Sequence, residues 1–299
     1  MKTGNRNTDS KGQRMNIIAV VVLYQCRTDQ SPTIASLVRS WEHCQDKGLE
    51  LKLVIYDNSP EPQRVTVPLP FDHQYVHDAA NGGLAAAYNF ALGSDPGDHC
   101  PWLLLLDHDS NLPADFISVA ARSLSAINLD PVVAAVVPMV TNVGAPISPA
   151  LVKKGGRIRP IWNPAQGVCR QEVTAINSGT LVRKSFVSEI GGFNKQFSLD
   201  YLDHWLFAEI NRRGRKVYIT DTIISHDLSI GNTARPVSPE RYQAVLRAET
   251  LFYRVSKNRG DFIYHMFNLA VRAGRQCLRG NRKLSGLTLK HLFNIAANR

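Results

Sequence analysis

The chain has 299 residues, 44% hydrophobic and 20% charged, with 20 Gly, 16 Pro and a formal charge of +10. These values exclude a disordered polymer, a collagen-like repeat and a disulfide-stapled miniprotein, and they accommodate one large α/β domain with an appendage or two modest domains. Five cysteines, odd in number, widely spaced and without a CxxC pair, speak against a disulfide framework or a structural zinc site.

Segment 1–15 is polar and lacks the apolar centre of a secretory signal, so it reads as a disordered extension ahead of an ordered chain that starts near Met15. Residues 17–23 form a continuous β-branched apolar run, 34–44 have helical spacing and 51–56 are again apolar: strand, helix, strand. Gly82-Gly83 then precede an Ala-rich helical segment over 84–92. The wholly apolar run 102–106, a helical stretch from near Pro113 and the strand 132–137 follow. Continuous apolar strands alternating with helices predict an α/β fold with a mostly parallel sheet covered on both faces. No apolar run approaches the roughly 18 to 20 residues that cross a bilayer, and a cytoplasmic location is expected.

Ligands of such sheets sit beyond the carboxyl ends of the strands, where this chain is polar each time. Tyr24-Gln25-Cys26-Arg27 follow the first strand, Asp57-Asn58-Ser59 the second and Asp107-His108-Asp109-Ser110 the strand 102–106. Wet loops alone also make strand ends polar. Over 141–171 the chain is rich in Pro, Gly and basic residues with weak periodicity, which predicts a long excursion over the site rather than a core element. Regular structure resumes at Ile176, a helix begins near Asp203, and a short strand leads to His226. From 241 to 299 twelve Lys or Arg stand against Glu249 and Asp261, accounting for the whole charge excess, so 236–299 is expected as a basic, mainly helical region after a domain over 16–235.

Asp107 and Asp109 lie on one side of an extended segment, roughly 6 to 7 Å apart at Cα, close enough to share a divalent ion with a diphosphate; the alternative is that one of them caps the following helix. Asn81-Gly82-Gly83 before a helix is a phosphate-friendly turn, or simply a tight turn, and matches neither GxxxxGK[ST] nor GxGxxG. Leu199–Trp205 combines two Asp, a His and aromatics, suiting a pocket floor that binds and deprotonates, although Asp203 also serves as a helix cap. His226 could be a neutral imidazole ligand to the same metal or an ordinary hydrogen-bonded residue.

Taken in order, VVVLYQ, VIYDNS, NGGLAAAYN, LLLLDHDS, NSGTLVRKSFVSEIGGF and DYLDHWLFAEINRRG resemble the inverting family 2 glycosyltransferases of GT-A fold, particularly the bacterial rhamnosyltransferase-like branch, over residues 16–230. The resemblance implies that Tyr24 and Asp57 contact the nucleobase of a sugar nucleotide, that Asn81 and Gly83 line the nucleotide pocket, and that Asp107 and Asp109 form the DxD motif, with Mg²⁺ or Mn²⁺ held by Asp107, Asp109 and His226. It aligns Asp203 with the catalytic Asp of the family's Glu-Asp pair. The chain departs from that pattern at Leu202, in place of the Glu, and at Glu209, in place of an Arg, and Asp200 is a rival base.

The implied reaction transfers a sugar, foremost from dTDP-rhamnose with a UDP-sugar such as UDP-galactofuranose as alternative, to a hydroxyl of a saccharide or lipid-linked acceptor in cell-surface polysaccharide synthesis. Basic residues of the tail, among them Arg241, Arg272 and Arg279, interleave with Tyr242, Phe252 and Phe267. That pattern suits peripheral contact with an anionic membrane surface, or equally a solvated helix face over core aromatics. No nucleic-acid module is present, so nucleic acid is not an expected partner. Two rivals stand beside this reading. One is an aspartate-dependent phosphohydrolase, which normally carries its DxDS on the first strand; the other is a non-enzymatic nucleotide-sugar binder.

Overall fold

The computed structural model describes residues 15–45, 48–95, 99–127, 130–226 and 238–297; segment 1–14 and the expected domain boundary at 235/236 lie outside the described residues. The chain runs β1 (Met15–Leu23), α1 (Pro32–His43), β2 (Leu49–Asp57), β3 (Asp72–His77), α2 (Gly83–Gly93), β4 (Trp102–Asp107), β5 (Ser110–Asn111), α3 (Phe116–Ile127) and β6 (Val133–Asn142). After these come β7 (Ala145–Ser148), β8 (Ala150–Val152), β9 (Ile158–Pro160), β10 (Gly167–Cys169), β11 (Val173–Thr174), β12 (Thr180–Arg183), α4 (Lys184–Glu189), α5 (Leu202–Arg212) and β13 (Lys216–His226). Three helices end it: α6 (Pro239–Ser256), α7 (Arg259–Leu278) and α8 (Arg282–Ala297).

The main sheet has the order β10-β13-β6-β12-β4-β1-β2-β3, with β5 added to β13 and β7 to β6. β1 pairs in parallel with both β2 and β4, which explains its unbroken apolar sequence: Ile18, Val20 and Val22 enter one core, Ile17, Ala19, Val21 and Leu23 the other. The first core packs under α2 and α5, the second under α1 and α3. Ser31 caps α1 by accepting from the Ile34 N–H at 3.3 Å, with Pro32 in the first turn, so that helix starts where the sequence supplies both signals.

One expectation needs correction, and two elements carry no clear signal in the sequence. β12 runs antiparallel to both β4 and β6, so the sheet is mixed at its centre; the four residues TLVR are apolar enough to be buried but carry no information about direction. The excursion over 141–171 is not devoid of core structure. It contributes β7 to the main sheet, β8 and β9 to a three-stranded sheet with β11, and β10 to the edge of the main sheet beside β13. These strands of three or four residues are too short to carry a period, and β8 and β10 also take partners well along the chain, β11 and β13, so local periodicity does not announce them. β3, Asp-His-Gln-Tyr-Val-His, is an exposed edge strand whose polar sequence gives no apolar signal at all.

The C-terminal region is helical as expected. It does not trail free: Phe252 and Tyr253 of α6 join the main core, and Leu246, Leu269 and Ile295 tie α6, α7 and α8 together. Among the described residues no helix is long and apolar enough to cross a membrane.

Candidate active site

β1, β2 and β4 end side by side, Leu23 opposite Asp57 and Val22 opposite Asp107. Tyr24 projects from the first of these ends with 46% of its surface exposed, and the adjoining Gln25 takes φ +49° with its N–H donating to Ser59 Oγ at 2.7 Å. The first two loops are thus one unit.

Asp57 does not reach solvent. Its Oδ1 accepts from the Ser59 N–H at 2.9 Å, and its Oδ2 accepts from the Gln63 N–H at 2.7 Å and the Tyr75 hydroxyl at 2.6 Å. The carboxylate expected at a nucleobase is therefore turned into the protein, where it folds the loop 58–63 back on β3. Burial, then the bond to Asp57, raises the Tyr75 phenol well above its ordinary value.

At the end of β4 the chain bends through His108 and Asp109, and hydroxyls hold the bend from two sides. From α1, Thr33 Oγ1 donates to the Asp107 carbonyl at 2.6 Å and Ser31 Oγ to the His108 carbonyl at 2.7 Å. From the loop before β12, Ser178 Oγ donates to Asp107 Oδ2 at 2.8 Å and lies 2.7 Å from Ser110 Oγ. Asp107 and Asp109 are both half-buried. In the first loop, burial and then the charge of Asp109 raise the Cys26 thiol. β5 pairs with the end of β13, so the His226 backbone lies opposite Ser110, next in sequence to Asp109; the His226 side chain falls outside the described residues.

The turn before α2 is built differently from expectation. Asp78 organises it: Oδ2 accepts from the Gly82 N–H at 3.0 Å and the Tyr56 hydroxyl at 2.9 Å, and Oδ1 from the Ala80 N–H at 3.1 Å. Burial works to raise the Asp78 carboxyl, but these bonds hold it below its ordinary value. Asn81 is exposed at φ +52°. Gly83, expected in the nucleotide pocket, is instead buried at φ +79°, and a Cβ there would stand 2.1 Å from the Ser198 carbonyl oxygen. That same carbonyl accepts the Leu84 N–H at 2.6 Å, so part of the helix N-terminus is already occupied by protein.

Asp203 lies in the first turn of α5, behind Tyr201, a non-glycine residue at φ +65°. Its Oδ1 accepts from the His204 N–H at 2.7 Å. The rival, Asp200, is gripped by the Arg241 guanidinium of α6, which pairs with both its oxygens. Glu209 is bound by Arg212 and Arg213 of its own helix turn and neighbouring cap. Tyr88 of α2 joins the halves of the site. Among the described residues its buried hydroxyl meets no hydrogen-bond partner, and burial, then the charge of Asp107, then that of Asp203, raise its phenol well above the ordinary value. The charges of two carboxylates 96 positions apart in sequence thus both act on one buried phenol.

Among the described residues no three His, Cys, Asp or Glu side chains gather into a metal cluster. The two carboxylates at the β4 bend are hard oxygen donors that leave further positions to a ligand's own oxygens, a donor set suited to Mg²⁺ or Mn²⁺. Sequence reasoning missed Asp78, Ser178 and Ser198. Ser178 stands inside the NSG segment, but its contact with Asp107 spans 71 positions and only the fold supplies it.

No protein-family model matches the sequence, and no curated protein matches it. Solved structures do. S. aureus TarS is 14% identical at a TM-score of 0.50, over 88% of this chain and 44% of that one, so the chain spans less than half of its length. TarS 1-349 is 12% identical at 0.50, over 95% and 92%. The mannosyltransferase PcManGT from Pyrobaculum calidifontis, in complex with GDP-Man and Mn²⁺, is 15% identical at 0.51, over 94% and 75%. The likeness is one of fold: a mostly parallel central sheet flanked by helices, the GT-A glycosyltransferase fold, followed by C-terminal helices.

Proposed function

We propose that the chain is an inverting, family 2-like glycosyltransferase of the rhamnosyltransferase branch, moving a sugar from a nucleoside diphosphate donor to an acceptor hydroxyl. The observation that carries this reading is the acidic pair Asp107 and Asp109 at the carboxyl end of β4, beside the ends of β1 and β2, with the segment that leads to Asp203 tied to the start of α2 through the Ser198 carbonyl and the Leu84 N–H. Tyr24 offers an exposed ring to the nucleobase, Asn81 borders the nucleotide, and Asp57 and Gly83 support the pocket from inside the protein.

Asp107 and Asp109, with His226, would hold Mg²⁺ or Mn²⁺; when bound, such an ion neutralises charge on the departing diphosphate. Asp203 accepts the proton of the attacking hydroxyl on the opposite face of the sugar, which gives inversion. Asp200 is the weaker candidate for base, because Arg241 already occupies both its oxygens.

The donor favoured by the sequence resemblance is dTDP-rhamnose, with a UDP-sugar as the second reading. GDP-Man and Mn²⁺ in the P. calidifontis enzyme show that this fold accommodates a nucleoside diphosphate sugar with a divalent ion. The acceptor is a saccharide, free or lipid-linked. Exposed Leu289 and Phe293 on the basic helix α8 fit shallow contact with an anionic membrane face on the cytoplasmic side.

Calorimetric titration of dTDP-, UDP- and GDP-sugars with and without Mn²⁺ tests the reading. One donor is expected to bind in a Mn²⁺-dependent manner that Asp109→Ala abolishes. Equal binding by wild type and variant rejects the metal assignment, and release of inorganic phosphate from a sugar phosphate without transfer favours a phosphohydrolase.

A further inference from the structure

A cavity of about 800 Å³ opens beside the start of α5, between α6, α7 and the small sheet formed by β8 and β9. No residue of the β1, β2 or β4 tips lines it, so it is separate from the place a nucleotide would take. Two of its wall residues, Tyr201 and His204, flank Asp203 in sequence. Whatever fills the cavity therefore meets the helix turn that carries the proposed base.

The wall has a pronounced charge. Five cationic side chains, Arg157, Lys257, Arg272, Arg275 and Arg279, line it against one carboxylate, Glu249. Arg272 holds that carboxylate through two hydrogen bonds of 2.7 and 2.8 Å, so the pair cancels. Among the described residues no ion pair engages Lys257, Arg275 or Arg279. On α7 Asn268, Arg272, Arg275 and Arg279 recur at spacings of three and four, so one helix face presents this charge. Aromatic rings complete the wall: Lys257 lies 5.5 Å over Phe252 and Arg157 5.9 Å over Tyr264.

We propose that this cavity is the acceptor site, and that the acceptor carries a phosphate or diphosphate ester, its anion seated on Arg275, Arg279 and Lys257 and its sugar or hydrocarbon part lying on the aromatic wall. Three unpaired cations exceed what a single carboxylate neutralises, whereas a diphosphate offers two or more charges and matches the guanidinium fork. The acceptor role rests on Asp203 being the base; the anion site itself does not.

The test uses the full chain with divalent ions chelated, which removes metal-dependent affinity at the strand tips. Inorganic pyrophosphate, glucose 1-phosphate and farnesyl diphosphate are titrated into wild type and into the double variant Arg275→Glu/Arg279→Glu, with neutral glucose and glucuronic acid as comparisons. At least one phosphorylated probe is expected to bind, at least tenfold more weakly to the variant, while dTDP-sugar binding measured separately with Mn²⁺ is the same in both proteins. Tightest binding of farnesyl diphosphate identifies a lipid-linked source, tightest binding of glucose 1-phosphate a phosphorylated saccharide. Failure of all three phosphorylated probes, equal binding by the variant, or glucuronic acid binding as tightly as the phosphates overturns the proposal. Loss of donor binding in both proteins with the probe result intact overturns instead the reading of the strand tips.

Discussion

Gly83 is where a single residue couples the start of α2 to the segment that leads into α5. Its φ of +79° is one that only glycine adopts without penalty, and the Ser198 carbonyl fills the volume a methyl group would need. Gly83→Ala is expected to lose more than about 2 kcal/mol, the left-handed backbone and the backbone clash acting together, and to lower Tm by at least ~4 °C. An unchanged melting curve would mean that the Ser198 segment yields freely, which its bond to the Leu84 N–H opposes. Asp203 and Asp200 separate in the same manner. Asp203→Asn should lower kcat by about 10² to 10⁴ with donor affinity unchanged, the signature of a lost general base; a near-normal kcat would return the role to Asp200. Of these residues, the acidic pair at β4 was legible because it follows an apolar run directly, and Asp203 because it begins a helical period. The burial of Asp57 and Gly83 was not legible, since Gln63, Tyr75 and Ser198, which enclose them, are set there by the fold.

At the scale of elements, the start of α5 is held less by its own sequence than by α6. Tyr201 occupies the cap position without a capping side-chain bond, and the chain ahead of it is anchored by the two-oxygen grip of Arg241 on Asp200. Arg241→Ala should therefore cost about 1 to 2 kcal/mol of stability through a partly buried charge left without its partner, and should lower kcat more than it weakens donor binding because the turn bearing Asp203 loses its brace. Equal kcat in the variant would show that the turn is positioned by its packing alone. The long parallel elements were readable from sequence because each buries both faces. The direction of β12 and the short strands β7 to β11 were not, for a strand of two to four residues has no period and its pairing is set by the fold. The tail was legible as basic and helical, and of the two readings left open for its aromatics Phe252 and Tyr253 follow the one that packs them in the core.

For the whole molecule, the C-terminal helices form a polar core of their own that makes stability depend on pH. His265 is fully enclosed, stacks on Tyr253 with ring centres 4.3 Å apart, and shares Thr250 Oγ1 with His291 at 3.1 and 2.8 Å. Burial lowers its pKa from 6.5 to about 4; Glu249 opposes the shift, and Arg272 and His291 add to it. His291 is lowered as well, again chiefly by burial. A histidine whose folded pKa lies below its unfolded one binds its proton more readily when unfolded. Its contribution is complete above about pH 6.5 and is lost as the pH falls from there towards 4, on the order of 3 kcal/mol for His265 over the full interval. The +10 formal charge grows over the same range as the histidines protonate, so self-repulsion adds to the loss. Thermal melts of wild type and His265→Gln at pH 7.5, 6 and 5 separate the two effects, because both proteins share the repulsion and only one has the buried imidazole. The Tm of wild type is expected to fall more steeply than that of the variant between pH 6.5 and 5; parallel curves would mean that the helices open enough at His265 for its proton to be taken up without unfolding.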